Sequence, residues 1–319
     1  MFACDQIDPA HNYLTREVLP RVVERLDPIR PYIPSSPYIS TKAFLNGGNG
    51  LGADVFPEDH LWGPRDYYKS KFFTESKAYF VSETGYHGCP SKESIEKFIE
   101  PDYLWPYFNN PQWILHSTEQ HGRDNRVMLM HKQVEQLFGE VPTNMDDYCL
   151  ASQISQAEAK KYFIERVRLK MDRMGGVIWW NLLDGWPQMS DAVVDYYYNK
   201  KLAYNFIKRS SKNFIIAMDE MDSWGHDLVC CNSTFNQIEG SCRVYNLDSG
   251  EVLYENNFTA KPNCNTHLTK IKTMYSEQKM LIIEWNIKGE KHFNTYLIGT
   301  PKYSLEEYKN WLEKIEKIN

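Results

Sequence analysis

Two stretches of this 319-residue chain carry side chains that could do chemistry. In Tyr79-Phe80-Val81-Ser82-Glu83-Thr84-Gly85-Tyr86-His87 a strand-like apolar run ends on a carboxylate, with a glycine, a phenol and an imidazole directly behind it. In Gly176-Val177-Ile178-Trp179-Trp180-Asn181-Leu182-Leu183-Asp184-Gly185-Trp186-Pro187 a second apolar run ends among tryptophans and an aspartate. A parallel α/β barrel puts its reactive groups at the C-terminal ends of its strands. Paired carboxyl groups can protonate and attack a glycosidic bond, and indole faces offer flat apolar platforms for a pyranose ring. Asp59-His60-Leu61-Trp62-Gly63 is a third short segment that ends in polar and aromatic groups.

The surrounding pattern supplies elements to position these residues. Residues 10–26 read as a helix with Leu14, Val18, Leu19, Val22, Val23 and Leu26 on one stripe, stopped by Asp27-Pro28. Residues 31–37 suggest a short strand running into a loop. Helices are expected over 91–100, opened by Ser91 with Glu93 in its first turn, over 125–138, and over 155–174, where Ala159, Phe163, Val167 and Met171 share a face. Strands at 78–83 and 177–180 alternate with these helices, as in parallel βα units. From about residue 212 only strand signals remain, at 213–219, 227–233, 240–246, 251–259, 266–272, 279–287 and 292–298. Turn residues such as Asp248-Ser249-Gly250 separate them, which predicts a β-sandwich. An amphipathic helix over 304–316 closes the chain.

Composition excludes several classes. The formal charge is −6 and the basic residues are scattered, so no nucleic-acid surface is expected. The mean hydropathy is −0.57, and no apolar run reaches the roughly 18 residues of a membrane span. Met1–Asp8 is short and acidic, unlike a leader peptide. Seven cysteines include no CxxC pair; they read as buried thiols, compatible with a reducing compartment or with a secreted chain having few disulfides. The GGNGLG run lacks the strand and helix of a phosphate loop and reads as a plain loop. His116, Glu119 and His121 do not have the spacing of a helical zinc motif, so no metal and no cofactor are expected; they read as a polar loop over a cleft. His131 falls on a helix as a surface or cap residue.

Taken together, these motifs resemble the C-terminal part of a glycoside hydrolase of family 2, in its β-mannosidase-like branch. Leu26-Asp27-Pro28-Ile29-Arg30-Pro31-Tyr32-Ile33-Pro34-Ser35-Ser36-Pro37 is similar to the family's fifth barrel strand and its approach. His60-Leu61-Trp62 resembles a His-Tyr-Trp at strand six, Ser82-Glu83-Thr84-Gly85-Tyr86 the strand-seven nucleophile motif, and Trp180–Pro187 the strand-eight motif. Tyr296-Leu297-Ile298-Gly299 and Trp311-Leu312 resemble the end of the family's last sandwich. The resemblance implies the C-terminal part, about strands 5–8, of a (β/α)8 TIM barrel over 1–211. An immunoglobulin-like β-sandwich with a terminal helix would follow over 212–319.

The resemblance also implies a retaining exo-β-glycosidase acting on β-mannoside-like sugars by double displacement, with two carboxyl groups about 5–5.5 Å apart. Glu83 is the implied nucleophile, and neighbouring hydrogen bonds are expected to favour its ionised form. Trp180, Trp62, His60, Asp184, Trp186, Tyr86 and His87 are the implied substrate-binding residues; only one of Trp179 and Trp180 can face the barrel mouth. The family's acid/base sits in an Asn-Glu pair ahead of the Leu-Asp-Pro segment, and no such pair precedes Leu26 here; Glu17 and Glu24 fall on a helix pattern. The expected partners are therefore a carbohydrate and the missing N-terminal part of the same enzyme, with a homo-oligomer left open and the compartment undetermined. The isolated chain is expected to be inactive or nearly so, as a C-terminal fragment or truncated gene product. Leu61, Asn181 and Leu183 stand where the family has Tyr, Gln and Asn, which leaves the sugar open. A non-catalytic carbohydrate-binding remnant and an assembly module are the alternative readings.

Overall fold

The computed structural model describes residues 12–38, 40, 45, 58–63, 67–76, 78–117 and 125–318. Most of the glycine-rich run after residue 40, Cys4, Met1–Asp8, Glu119 and His121 lie outside the described residues. The chain divides into two compact units, one drawn from residues 1–64, 69–85 and 173–180, the other from 65–68, 86–172 and 181–319.

The first unit contains a parallel sheet of β1 (Glu58–Leu61), β2 (Phe80–Gly85) and β3 (Gly176–Trp180), in that order. Val81, Phe80 and Ile178 supply the apolar and β-branched character that suits a pleated sheet. A Cβ at Gly176 would stand 2.8 Å from the Phe80 ring, so a larger residue there would need that ring to shift. Both pairings slip in register, at Asp59/His60 on β1 against β2 and between Val81 and Thr84 on β2 against β3. The expected N-terminal helix is present as a π-helical turn, Leu14–Val18, running into α1 (Leu19–Leu26). Its apolar stripe is exposed: Leu14, Leu19, Val22 and Leu26 all face solvent in this chain. The strand expected at 31–37 does not form. Pro31, Pro34 and Pro37 offer no amide hydrogens to a ladder, and only Tyr38 makes an isolated bridge, to Glu58.

The second unit is helical and β. The helix α2 (Arg126–Phe138) is capped by Asn125, whose side chain accepts from the Met128 amide, and ends on Gly139 in the left-handed region. The next helix, α3 (Met145–Leu169), begins ten residues before its expected start. Asn144 caps it at the Asp147 amide, and Tyr148, Cys149 and Ser152 continue its buried side back to that cap. Conversely, the helix expected over 91–100 is a single turn, Lys92–Ile95, followed by turns and a short 3₁₀ segment. A further helix, α4 (Leu202–Ser210), was not anticipated.

Seven antiparallel strands follow: β4 (Phe214–Asp222), β5 (Gly225–Asn232), β6 (Ile238–Asn246), β7 (Val252–Ala260), β8 (Cys264–Lys272), β9 (Lys279–Ile287) and β10 (Glu290–Ile298). They form one sheet of order β10-β9-β6-β7 and another of order β4-β5-β8. Alternate residues of both, among them Ile216, Leu228, Val244, Phe258, Ile283, Trp285 and Ile298, close into one core. Cys230 and Cys231 are both fully buried although a strand sends them to opposite faces. The far face of β5 is covered as well, and Arg168 of α3 donates to the Cys231 carbonyl at 3.0 Å. Glu165 ties the helices to the sheets: it pairs with Lys161 at 2.7 Å and accepts from Ser210 and Asn294. The closing helix, α5 (Leu305–Glu316), is anchored by the Tyr308 hydroxyl on Glu158, at 2.5 Å, and by the Trp311 indole on Asp248, at 2.7 Å.

Candidate active site

Within the first unit, the C-terminal ends of β1 and β2 bring polar side chains together. His60 pairs with Glu83 in the sheet register, and Leu61 with Thr84. The Trp62 indole N–H donates to Glu83 Oε2 at 3.0 Å, and His60 Nδ1 lies 3.3 Å from the same oxygen. The Glu83 side chain is one-quarter exposed, so its carboxylate is held and still reachable from solvent. The indole N–H fixes the direction of this carboxylate oxygen, and the imidazole lies against the same atom.

A second carboxylate supports the arrangement. Glu58, at the start of β1, is only 7% exposed. It accepts from the Tyr38 amide at 2.7 Å, from the Ser36 hydroxyl at 2.5 Å, and from the Ser82 hydroxyl. Ser36 Oγ also lies 2.8 Å from His60 Nε2. Glu58, His60 and Trp62 recur every second residue, so period-2 alternation places them on one side. That pattern was the available sequence signal for Glu58. Nothing comparable marks Ser36, which reaches the cluster from 22 residues upstream of Glu58. Ser82 and Glu83 are adjacent yet both engage side chains of β1, an outcome consistent with the local slip in register. Asp59 bonds the His60 amide at 2.8 Å, and burial raises its carboxyl above the usual range.

Trp180 ends β3, opposite Gly85, and is 47% exposed, whereas Trp179 beside it is half-buried against Thr84 in the register. Leu61, where a phenol was expected by resemblance, is buried, and its carbonyl accepts from the Thr84 hydroxyl at 3.1 Å.

The remaining expected residues belong to the second unit. Tyr86 is buried with its ring edge-on to Tyr68 and Phe163, and its carbonyl accepts from Gln156 at 3.0 Å. His87 is fully buried beside Arg126 and Asp191; Arg126 donates to Asp191 at 2.6 Å and contacts His87 Nε2 as well. These two side chains are engaged in packing and ion pairing in this unit. Asp184 is also buried, accepting from Ser190 at 2.5 Å and Gln188 at 2.8 Å. Burial raises its carboxyl above the usual range, with Lys201 opposing. Gln188 in turn accepts from the Trp186 indole at 2.8 Å. The Trp186 ring, 40% exposed, stacks on His116, with centroids 5.2 Å apart and planes 25° apart. His131 contacts the Tyr107 hydroxyl from α2. No helix among the described residues is long and apolar enough to cross a membrane.

No protein-family model matches the chain. It is 28% identical over 205 residues to β-mannosidase B of Aspergillus niger, a match that covers 62% of this chain and 22% of that protein. It is 21% identical over 341 residues to β-mannosidase B of Thermothelomyces thermophilus, covering 96% of this chain and 38% of that protein. The chain thus spans well under half the length of these curated relatives. Among solved structures, a β-D-mannosidase from Dictyoglomus thermophilum superposes with a TM-score of 0.77 at 23% identity, covering 93% of this chain and 36% of that one. An exo-chitosanase of Amycolatopsis orientalis superposes at 0.57 and 18% identity, over 76% of this chain and 30% of that one. At these identities the two superpositions establish the fold.

Proposed function

We propose that this chain, which is similar to the C-terminal portion of a family 2 β-mannosidase-like protein, is the nucleophile-bearing part of a retaining exo-β-glycosidase. The observation that carries this reading is Glu83: a partly exposed carboxylate at the end of a parallel strand, gripped on one oxygen by the Trp62 indole and faced by His60. An ionised carboxylate so placed can attack an anomeric carbon and form a glycosyl ester. A second carboxyl group protonates the leaving oxygen and afterwards activates water. In this reading β1, β2 and β3 are strands six to eight of a barrel, and residues 26–37 take the place of strand five. Trp180 is the platform for the sugar ring, with Trp62 and His60 beside it. By resemblance, Asp184 and Trp186 belong to the strand-eight motif, and Tyr86 and His87 follow the strand-seven motif. We place the boundary between barrel part and immunoglobulin-like sandwich near 211/212, at the end of α4.

The acid/base is assigned outside these 319 residues, since no Asn-Glu pair precedes Leu26. The exposed apolar stripe of α1 supports this, as a face suited to another segment of the same enzyme. A non-catalytic carbohydrate-binding remnant remains the second reading, favoured by the same missing pair.

The test is covalent labelling. A 2-deoxy-2-fluoro-β-mannosyl fluoride carries a leaving group that needs no protonation, so it reports on the nucleophile alone. The expected result is a glycosyl adduct on the peptide bearing Glu83, absent from Glu83→Gln. An adduct on another carboxylate overturns the assignment; no adduct, with the sugar still bound, supports the remnant. Purified 1–319 should hydrolyse an aryl β-mannoside at background rate, because general acid–base catalysis contributes roughly 10²–10⁴-fold. Turnover that disappears in Glu83→Ala would show that the chain supplies its own acid/base.

A further inference from the structure

Glu58 is enclosed by donors. An ionised carboxylate can only accept, so the Ser36 hydroxyl, 2.5 Å away, commits its one hydrogen to Glu58. Towards His60 Nε2, at 2.8 Å, the Ser36 oxygen can then only accept, and the hydrogen in that contact has to come from the ring. Glu58 itself is 3.7 Å from Nε2, too far for a direct hydrogen bond, so the hydroxyl is the bridge. The other side of the ring, Nδ1, faces Glu83 Oε2.

We infer that Glu58, acting through Ser36, is a positioning residue that fixes His60 as the Nε2–H tautomer and so makes Nδ1 the ring atom that gives or withholds a proton at Glu83. With the first ring hydrogen on Nε2, a second proton has only Nδ1 to occupy, against the carboxylate. The pairing also sets the ring plane, as the partner of one imidazole nitrogen determines what the other can do. Asp59 cannot substitute, because its carboxylate is bonded to the His60 backbone amide rather than to the ring. The functional weight of this device rests on Glu83 being the nucleophile.

Ring ¹⁵N spectra of labelled 1–319 in mildly alkaline buffer, where an ordinary imidazole is neutral, read the tautomer directly; His60→Gln assigns the signals. The wild-type ring should show a pyrrole-type nitrogen at Nε2 and a lone-pair nitrogen at Nδ1. In Glu58→Gln the new amide can donate to Ser36, which turns its hydrogen towards Nε2, so the pattern should reverse. Should Glu58→Gln fail to fold, Ser36→Ala removes the bridge alone and should abolish the Nε2–H preference. A pyrrole-type Nδ1 in the wild type, or a ring pattern unchanged in a folded variant, overturns the inference. The measurement involves no turnover, so it fails or holds separately from the labelling of Glu83.

Discussion

The parallel sheet of the first unit and the paired antiparallel sheets of the second use aromatic residues in opposite ways. In the second unit Trp285 and Phe258 are almost wholly enclosed, with Phe214 stacked on Phe258 at 5.6 Å. In the first, Trp180 and the α1 stripe are left open to solvent, while Glu58, His60, Trp62 and Glu83 line up along β1 and β2. Enclosed apolar area stabilises at roughly 25 cal/mol per Å²; an exposed indole at a strand end adds little of that and keeps its face accessible to solvent. The antiparallel region is thus organised around its core, and the parallel region around a cluster of polar groups.

Mutations can break or sharpen this contrast. The largest effect is expected from Trp285→Ala, which should cost about 3–5 kcal/mol in denaturant unfolding because it opens a cavity between two sheets. A loss below about 1 kcal/mol would erase the distinction. Lys160→Met comes next. Lys160 is wholly buried in α3, and desolvation, against the pull of Asp191, pushes its ammonium down to about 7. A group whose folded value is depressed contributes stability above its unfolded value and loses it as pH falls through the folded one. Wild-type stability relative to the Met variant should therefore rise between about pH 7 and about pH 10. Near neutrality the variant should be about 1–3 kcal/mol more stable. Parallel pH profiles for the two proteins would contradict this.

Glu58→Ala should cost about 1–3 kcal/mol, since Ser36, Ser82 and the Tyr38 amide all lose their acceptor. Unfolding followed by a probe in the first unit, such as Trp62 fluorescence, would check it. Trp180→Ala should change stability by no more than about 0.5 kcal/mol while weakening the binding of a β-mannoside or its trapping reagent. Full retention of binding would remove Trp180 from the site.

Some of this was legible beforehand. Residues 213–298 carry short apolar and β-branched runs separated by turn residues, and all seven strands form close to where those signals place them. The strand bearing Glu83, which runs two residues further to Gly85, and the tryptophans ending β3 were visible for the same reason: short apolar runs stopping on polar groups. Helix limits were less so. Asn144 was overlooked as a cap, and the near-continuous burial of α3 blurs any 3.6-residue stripe. The helix α4 was hidden because strand signals begin directly after it.

What the sequence by itself determined was local: the period of each strand, the punctuation by proline and glycine, and the identity of a carboxylate behind an apolar run. Only the tertiary structure decided which groups stand around that carboxylate. Ser36, the β1 residues Glu58 and His60, and Glu83 of β2 come from three separate stretches, and no periodicity encodes the contacts that join those stretches. The division of Trp180 to the surface and Tyr86 and His87 to the interior was likewise settled by packing, because burial depends on what lies across from a side chain rather than on its neighbours in the chain.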